Sequence, residues 1–250
     1  MAGGSTRPGV SVTRRALDLL GAFDADHRSL SLSELAQRAG LPLTTTHRLV
    51  GELVDWGALR RLDDAGYVVG RRLWDVGLLA PVDDDLVDLA SPHLHDLFAV
   101  TRATVHLAVR EDTEALYVSR LRGNASVPVV STVGSRLPLH ATGVGKVLLA
   151  HAPDDVAARV LGSLTRVTAY TVVQPGVLER QLTRVRRDGF ATTAEEMSLG
   201  ACSLAVPVRG PDDEVVAALG MVVPRIGRDR SRLVGALQLT GRSISRSLAR

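Results

Sequence analysis

Apolar side chains recur three and four residues apart through the first eighty positions and in alternating runs further on, two periodicities that separate helices from strands. Val12, Ala16, Leu19, Leu20 and Phe23 share one stripe and predict a helix over 12–23, with Gly21 weakening its end. In LSLSELAQRAG, Ser31 and Glu34 have the spacing of a capping box, Leu30 and Leu35 flank it as a hydrophobic staple, and Gly40 suits a left-handed stop. A short helix over 32–39 follows. Pro42 then fits the first turn of another helix through TTTHRLVGELVDWG, with Thr46, Leu49, Val50 and Leu53 facing inward. After Gly57 the period changes: ALRRL and YVVG bracket the turn signal DDAG and predict a two-stranded hairpin. Arg71, Arg72, Leu73, Val76, Leu78 and Leu79 predict a connecting helix that stops at Pro81.

That order of elements is a helix-turn-helix followed by a wing. The opening turns of the second helix carry Thr44, Thr45, His47 and Arg48, polar residues where such a helix meets base edges in the major groove. Arg60 and Arg61 on the first wing strand are placed to reach phosphates. Three small helices and a hairpin also make an ordinary structural domain. The succession of cap, glycine, proline, polar turn and wing favours the DNA-binding reading.

Beyond Pro81 the acidic stretch VDDDLVDL opens a segment that reads as a helix over about 84–100. ATVHLAVR and EALYVSRL alternate and predict antiparallel strands joined at Glu111–Thr113. VPVVSTV, GFATT, SLAVPVR and VVAALGMVV are further strand candidates, and helical patterns fall at about 143–151, 178–188 and 229–248. Hairpins mixed with helices predict an α+β sheet domain. The sequence thus divides into a flexible leader (1–10), a DNA-binding domain (11–70), a linking helix (71–82) and an α+β domain (83–250).

Composition changes this picture little. An apolar content of 45% argues against disorder. The 30 basic residues, all arginine except Lys146, face 27 acids. Residues 1–80 hold ten arginines against nine acids, so charge alone singles out no nucleic-acid domain. No apolar run is long enough to span a membrane, the N-terminus lacks a signal-peptide core, and a lone cysteine forms no internal disulfide. The expectation is a cytoplasmic protein without membrane association.

Candidate chemistry concentrates in RLPLHATGVGKVLLA. GVGK is not a phosphate-binding P-loop, since His140 stands where its first glycine belongs and Val147 where it needs Ser or Thr. The turn either presents helix N–H groups to an anion such as a carboxylate or simply needs glycine's backbone freedom. Cys202 beside Ser203, with His106 or His140 as base, is a weak case for catalysis, because a lone cysteine before an apolar strand is usually packing. His93 and His95, two apart on a helix, point away from each other. No catalytic residue, metal site or cofactor is expected.

The runs RALDLLGAF, SLSELAQRAGLPLTTTHRLVGELVDWGALRR and YVVGRRLWDVG resemble the DNA-binding domain of IclR-type regulators, and LPLHATGVGKVLLA and EEMSLGACSLAVPV resemble two signature segments of that family's effector domain. The resemblance covers residues 11–248. It implies a winged helix-turn-helix joined to a GAF-like domain that binds a small effector, and a homodimer or tetramer on a palindromic operator in double-stranded DNA, more often a repressor than an activator. It places Gly143, Val144, Thr193, Ala201, Ser203, Gly220 and Val222 around the effector, with Leu137 closing the pocket. Thr193 stands where some members carry an acid, and Gly220 and Val222 where others carry hydroxyl groups. A pocket with fewer polar groups favours a more apolar ligand, either an organic acid or an aromatic compound. Glu195 and Glu196 either touch that ligand or pair structurally with arginine.

Overall fold

Ser31 accepts from the Glu34 N–H (3.3 Å) while the Glu34 carboxylate accepts from the Ser31 N–H (2.8 Å), and this reciprocal cap starts helix α2, Leu32–Ala39. Gly40 ends it at φ 64°, with the Leu41 N–H returning to the Ala36 carbonyl. The computed structural model describes residues 10–24, 26–79, 84–123 and 130–249. The leader expected over 1–10 therefore falls almost wholly outside the described residues.

Before α2 lies α1, Val12–Leu20, three residues shorter than its apolar stripe because Gly21 caps it. After α2 comes α3, Leu43–Trp56, with Pro42 as its N-cap instead of a first-turn residue. The wing is β1, Leu59–Arg61, paired antiparallel with β2, Tyr67–Val69. Leu30 makes an isolated antiparallel bridge to Tyr67 beside this hairpin. Leu19, Leu30, Leu35, Leu49, Val50 and Leu59 close one core beneath these elements. Leu53, expected to face inward, is only partly buried.

Helix α4, Arg71–Gly77, is shorter than expected, and residues 80–83 lie outside the described residues. It is tied back to α3: the Arg72 guanidinium lies 4.5 Å from the Trp56 ring centre and donates to the Trp56 carbonyl. Gly70 admits this return, since a Cβ there would sit 2.1 Å from the Gly57 carbonyl oxygen.

The chain divides into two compact units, Met1–Pro81 and Val82–Arg250. The second opens with α5, Asp84–Thr101. Its sheet runs through β3 (Thr104–Glu111), β4 (Glu114–Leu121), β5 (Arg136–Pro138), β6 (Ala191–Ala194), β7 (Cys202–Arg209) and β8 (Val215–Val223). All neighbours are antiparallel, in the order β5-β4-β3-β8-β7-β6. Helices α6 (Gly143–Ala150), α7 (Asp154–Leu161) and α8 (Pro175–Asp188) pack on one face, whereas α5 and α9 (Arg230–Leu248) pack on the other. The α+β expectation holds. Alternation along each strand feeds both layers: Leu204, Val206 and Val208 meet α5 and α9, and Ala205 meets α6.

Two expectations need correction. Of VPVVSTV, 127–129 lie outside the described residues, and residues 130–133 are turn and irregular backbone instead of strand. The edge strand is β5 instead, where Arg136 and Leu137 pair with Leu116 and Ala115. Pro138 is tolerated there because an edge residue can lack its N–H. Helix α7 was not anticipated, although Asp154 and Asp155 in its first turn suit a helix N-terminus.

Candidate functional site

In the first unit, burial of Thr46, Leu49 and Val50 turns the other face of α3 outward. Thr44, His47 and Arg48 are exposed and Thr45 is half-buried. Arg48 is held by Glu52 one turn on, at 2.6 Å, with both side chains more than half exposed. Glu52 and Asp55 make the C-terminal half of the outward face acidic, so a polyanion meets α3 best at its opening turns. Arg60 and Arg61 are both exposed on the wing. As neighbours on a strand they leave on opposite faces.

In the second unit a cavity enclosing about 430 Å³, open mouth included, lies between the sheet and the start of α6. Thr142 caps α6 by accepting from the Gly145 N–H, and the Gly143 N–H donates to Ser203 Oγ at 3.2 Å. Ser203 Oγ lies 2.6 Å from Thr193 Oγ1, its cross-strand partner on β6. The glycines serve close approach. A Cβ on Gly143 would fall 2.5 Å from Ser203 Oγ, and one on Gly145 would fall 2.4 Å from the Leu139 carbonyl oxygen.

Leu137, Gly143, Thr193, Ala201, Ser203 and Val222 line this cavity. Val144 and Gly220 lie behind the wall. A Cβ on Gly220 would collide with Val144 Cγ1 (2.6 Å) and His106 Nε2 (2.8 Å), so those side chains already fill the space above it. The wall also includes groups the sequence reading missed, among them His106, Tyr117, Ser131, Thr142 and Ser198. The wall thus carries more hydrogen-bonding residues than the positions suggested by resemblance, while most of its exposed surface stays apolar. The signal for His106 and Tyr117 was their place on inward-facing strand positions, yet only the sheet register makes them neighbours.

His106 is 3% exposed, and its ring stands edge-on to Tyr117 with centres 5.0 Å apart. Burial, helped by the positive charge of Arg120, lowers the His106 pKa from 6.5 to about 3, so the ring is neutral. Burial also pushes the Tyr117 phenol upward, against the effect of its hydrogen bond to Thr142. Cys202 lines the same cavity as His106. His140 does not: its ring is bonded to the Thr165 carbonyl. His93 bonds to Ser247 and His95 to the Ser91 carbonyl, and no cluster of three potential metal ligands occurs among the described residues.

Glu196 pairs with Lys146, not with arginine. Lys146 Nζ donates to Glu196 Oε1 at 2.6 Å and to Gln181 at 2.8 Å, and Lys146 is 1% exposed. Burial draws Lys146 below its ordinary pKa while Glu196 works to restore it. Glu195, at φ 57°, accepts from the Gly200 N–H and closes the loop that brings Met197 and Ser198 to the cavity.

Comparison with known proteins decides the lineage. A family described as the IclR helix-turn-helix domain matches residues 12–63, and one described as the bacterial transcriptional regulator IclR C-terminal matches residues 81–246. The chain belongs to the IclR family. It is 31% identical to the transcriptional repressor IclR of Escherichia coli K12, over 89% of this chain and 84% of that protein. It is 29% identical to the regulator XynR of the same organism, over 96% and 98%. Among solved structures, an IclR homologue from Microbacterium hydrocarbonoxydans, complexed with 4-hydroxybenzoate, superposes with a TM-score of 0.88 at 33% identity, covering 95% of this chain and 99% of that one. The Thermotoga maritima IclR superposes at 0.78 and 26% identity, covering 95% and 98%. The two Escherichia coli relatives are named as a transcriptional repressor and a transcriptional regulator. The chain is a transcription regulator, not an enzyme.

Proposed function

We propose that this IclR-family regulator represses transcription from the cytoplasm by binding a palindromic operator as a homodimer or tetramer, and that a small organic acid or aromatic compound in the C-terminal cavity changes its operator affinity. One observation supports this reading most: an outward, non-acidic opening of α3 beside a wing, on a chain whose second unit holds a largely apolar cavity with a few polar groups in its wall. Thr44, Thr45, His47 and Arg48 read base edges and Arg60 and Arg61 contact phosphates. Leu137, Gly143, Thr193, Ala201, Ser203 and Val222 contact the effector, with Val144 and Gly220 setting the shape of the wall behind it. The repressor names of several relatives support the sign. The 4-hydroxybenzoate bound by the Microbacterium homologue supports the ligand class. The effector acts only through unequal affinity for DNA-competent and DNA-incompetent states.

The test is a mobility-shift titration against the DNA upstream of the protein's own gene at two salt concentrations, with scrambled competitor, followed by a thermal-shift screen of small acids and aromatics. We expect salt-sensitive binding that survives the competitor and a raised melting temperature with at least one compound. Binding abolished equally by scrambled DNA across several genomic fragments would overturn the operator reading. A screen in which no compound shifts the protein would leave the second unit an assembly domain.

A further inference from the structure

Four buried side-chain polar atoms have no hydrogen-bond partner among the described residues: Thr104 Oγ1, His106 Nδ1, Arg120 Nε and Ser131 Oγ. They cluster at one corner, where His106 and Ser131 line the cavity and Thr104 and Arg120 do not. Thr104 and His106 are two apart on β3 and so share a face of the sheet. Thr104 pairs across to Val222, a cavity-wall residue, and His106 pairs across to Arg120 on β4. Arg120 Nη1 donates to the Ser131 carbonyl, and Ser131 and His106 themselves line the cavity. Thr104, His106 and Ser131 are 0%, 3% and 1% exposed.

A buried donor left unmade is costly, and a charged one more so. Arg120 has no carboxylate within ion-pair distance among the described residues. Residues 122–131 contribute no acid, and Arg122 adds a second positive charge. Among the described residues the corner offers several donors, the Arg120 charge with Arg122 near it, and no anion. It lies on the β3–β4 side of the cavity, and the Gly143 N–H at the α6 N-terminus is already bonded to Ser203. A neutral His106 can donate from Nδ1 in the tautomer that carries its hydrogen there.

We propose that this corner binds the charged end of the effector: the Arg120 guanidinium takes a carboxylate, the Thr104 and Ser131 hydroxyls and His106 Nδ1–H complete its hydrogen bonds, and Thr193 and Ser203 face the ligand's other end. The inference rests on the effector reading of the cavity and adds to it the residues that select an acid over its neutral isostere. Arg120 acts as the charge-selecting residue, because a guanidinium to carboxylate bond is stronger than one to an amide oxygen.

Calorimetric titration of the full chain with two acid and amide pairs, 4-hydroxybenzoate with 4-hydroxybenzamide and isobutyrate with isobutyramide, tests this. The native protein should prefer at least one acid to its amide by about 10- to 100-fold. Arg120→Met should remove most of that preference while changing amide affinity less than about threefold, and Arg120→Lys should recover part of it. Should Arg120→Met not fold, Ser131→Ala and Thr104→Val each weaken the acid more than the amide, by about fivefold. Equal losses for acid and amide would mean that the corner holds only water or packing, and would overturn the proposal. Equal native affinities for acid and amide, or binding of amides alone, would overturn it while leaving the cavity as the effector site. No binding of any of the four would count against both.

Discussion

At the residue scale, two side chains make separable predictions. His106 is neutral in the folded chain because burial lowers its pKa from 6.5 to about 3, whereas an unfolded chain protonates it below its ordinary value. Between those two values the unfolded state binds more protons, so stability rises with pH and is lost as pH falls from about 6.5 towards 3. The slope attributable to this residue approaches about 1.4 kcal/mol per pH unit. Denaturant melts at pH 7.5, 5.5 and 4.5 should show the loss in the native protein and a flatter profile in His106→Gln. Parallel profiles would mean that another group carries it. Arg48 concerns DNA. Its exposed pair with Glu52 is worth about 0–1 kcal/mol, weak enough for the guanidinium to be redirected to a base. Arg48→Ala should therefore lose about 1–3 kcal/mol and relax specificity at one operator position. Glu52→Gln, which frees Arg48 and removes a negative charge from the outward face, should tighten operator binding by up to about fivefold. An unchanged footprint and affinity in Arg48→Ala would remove that residue from the base-reading set.

At the element scale, the buried Lys146–Glu196 pair joins α6 to the loop that carries Met197 and Ser198 to the cavity. Removing one partner strands the other charge, so Lys146→Met should destabilise the chain by about 3–5 kcal/mol, and Lys146→Met with Glu196→Gln together should recover a large part. Chemical denaturation of the two single variants and the double variant checks this. Additive losses would show that the two side chains are not coupled. This pair also marks where reading the sequence stops. Ser31, Glu34 and Gly40 announce α2 because a cap is satisfied within a few residues of chain, so local sequence suffices. Lys146 and Glu196 are fifty residues apart, and nothing local distinguishes the lysine as the partner from the abundant arginines. β5 is similar: three residues ending in a proline form a strand only because the β4 edge is there to pair with. The cavity was legible in the residues that resemblance points to on β6, β7 and the start of α6. It was not legible in His106 and Arg120, which meet through sheet register, or in Ser131, which the Arg120 guanidinium reaches from β4.

At the scale of the whole molecule, a winged helix-turn-helix offers one recognition helix, and one helix reads only a few base pairs. In the dimer proposed above, operator affinity depends on joining two such units, because the second contact becomes intramolecular once the first is made. Helix α4 is the element of the first unit best suited to that joining. It buries none of its residues, and Trp74 within it and Leu78 at its C-cap are each 57% exposed. An exposed row of large apolar side chains next to an arginine already anchored on Trp56 suits a second copy of the chain better than water. A charge at the centre of such a contact would be stranded on assembly. Trp74→Asp should accordingly shift the protein from dimer towards monomer in light scattering at micromolar concentration, and weaken operator binding by about 10²- to 10⁴-fold. Half-site binding and the thermal response to an effector should change little, because neither α3 nor the second unit's cavity contains Trp74. A Trp74→Asp protein that stays dimeric and keeps its operator affinity would place the dimer contact elsewhere. One that loses half-site binding as well would show that α4 supports the fold of the DNA-binding unit instead of its pairing.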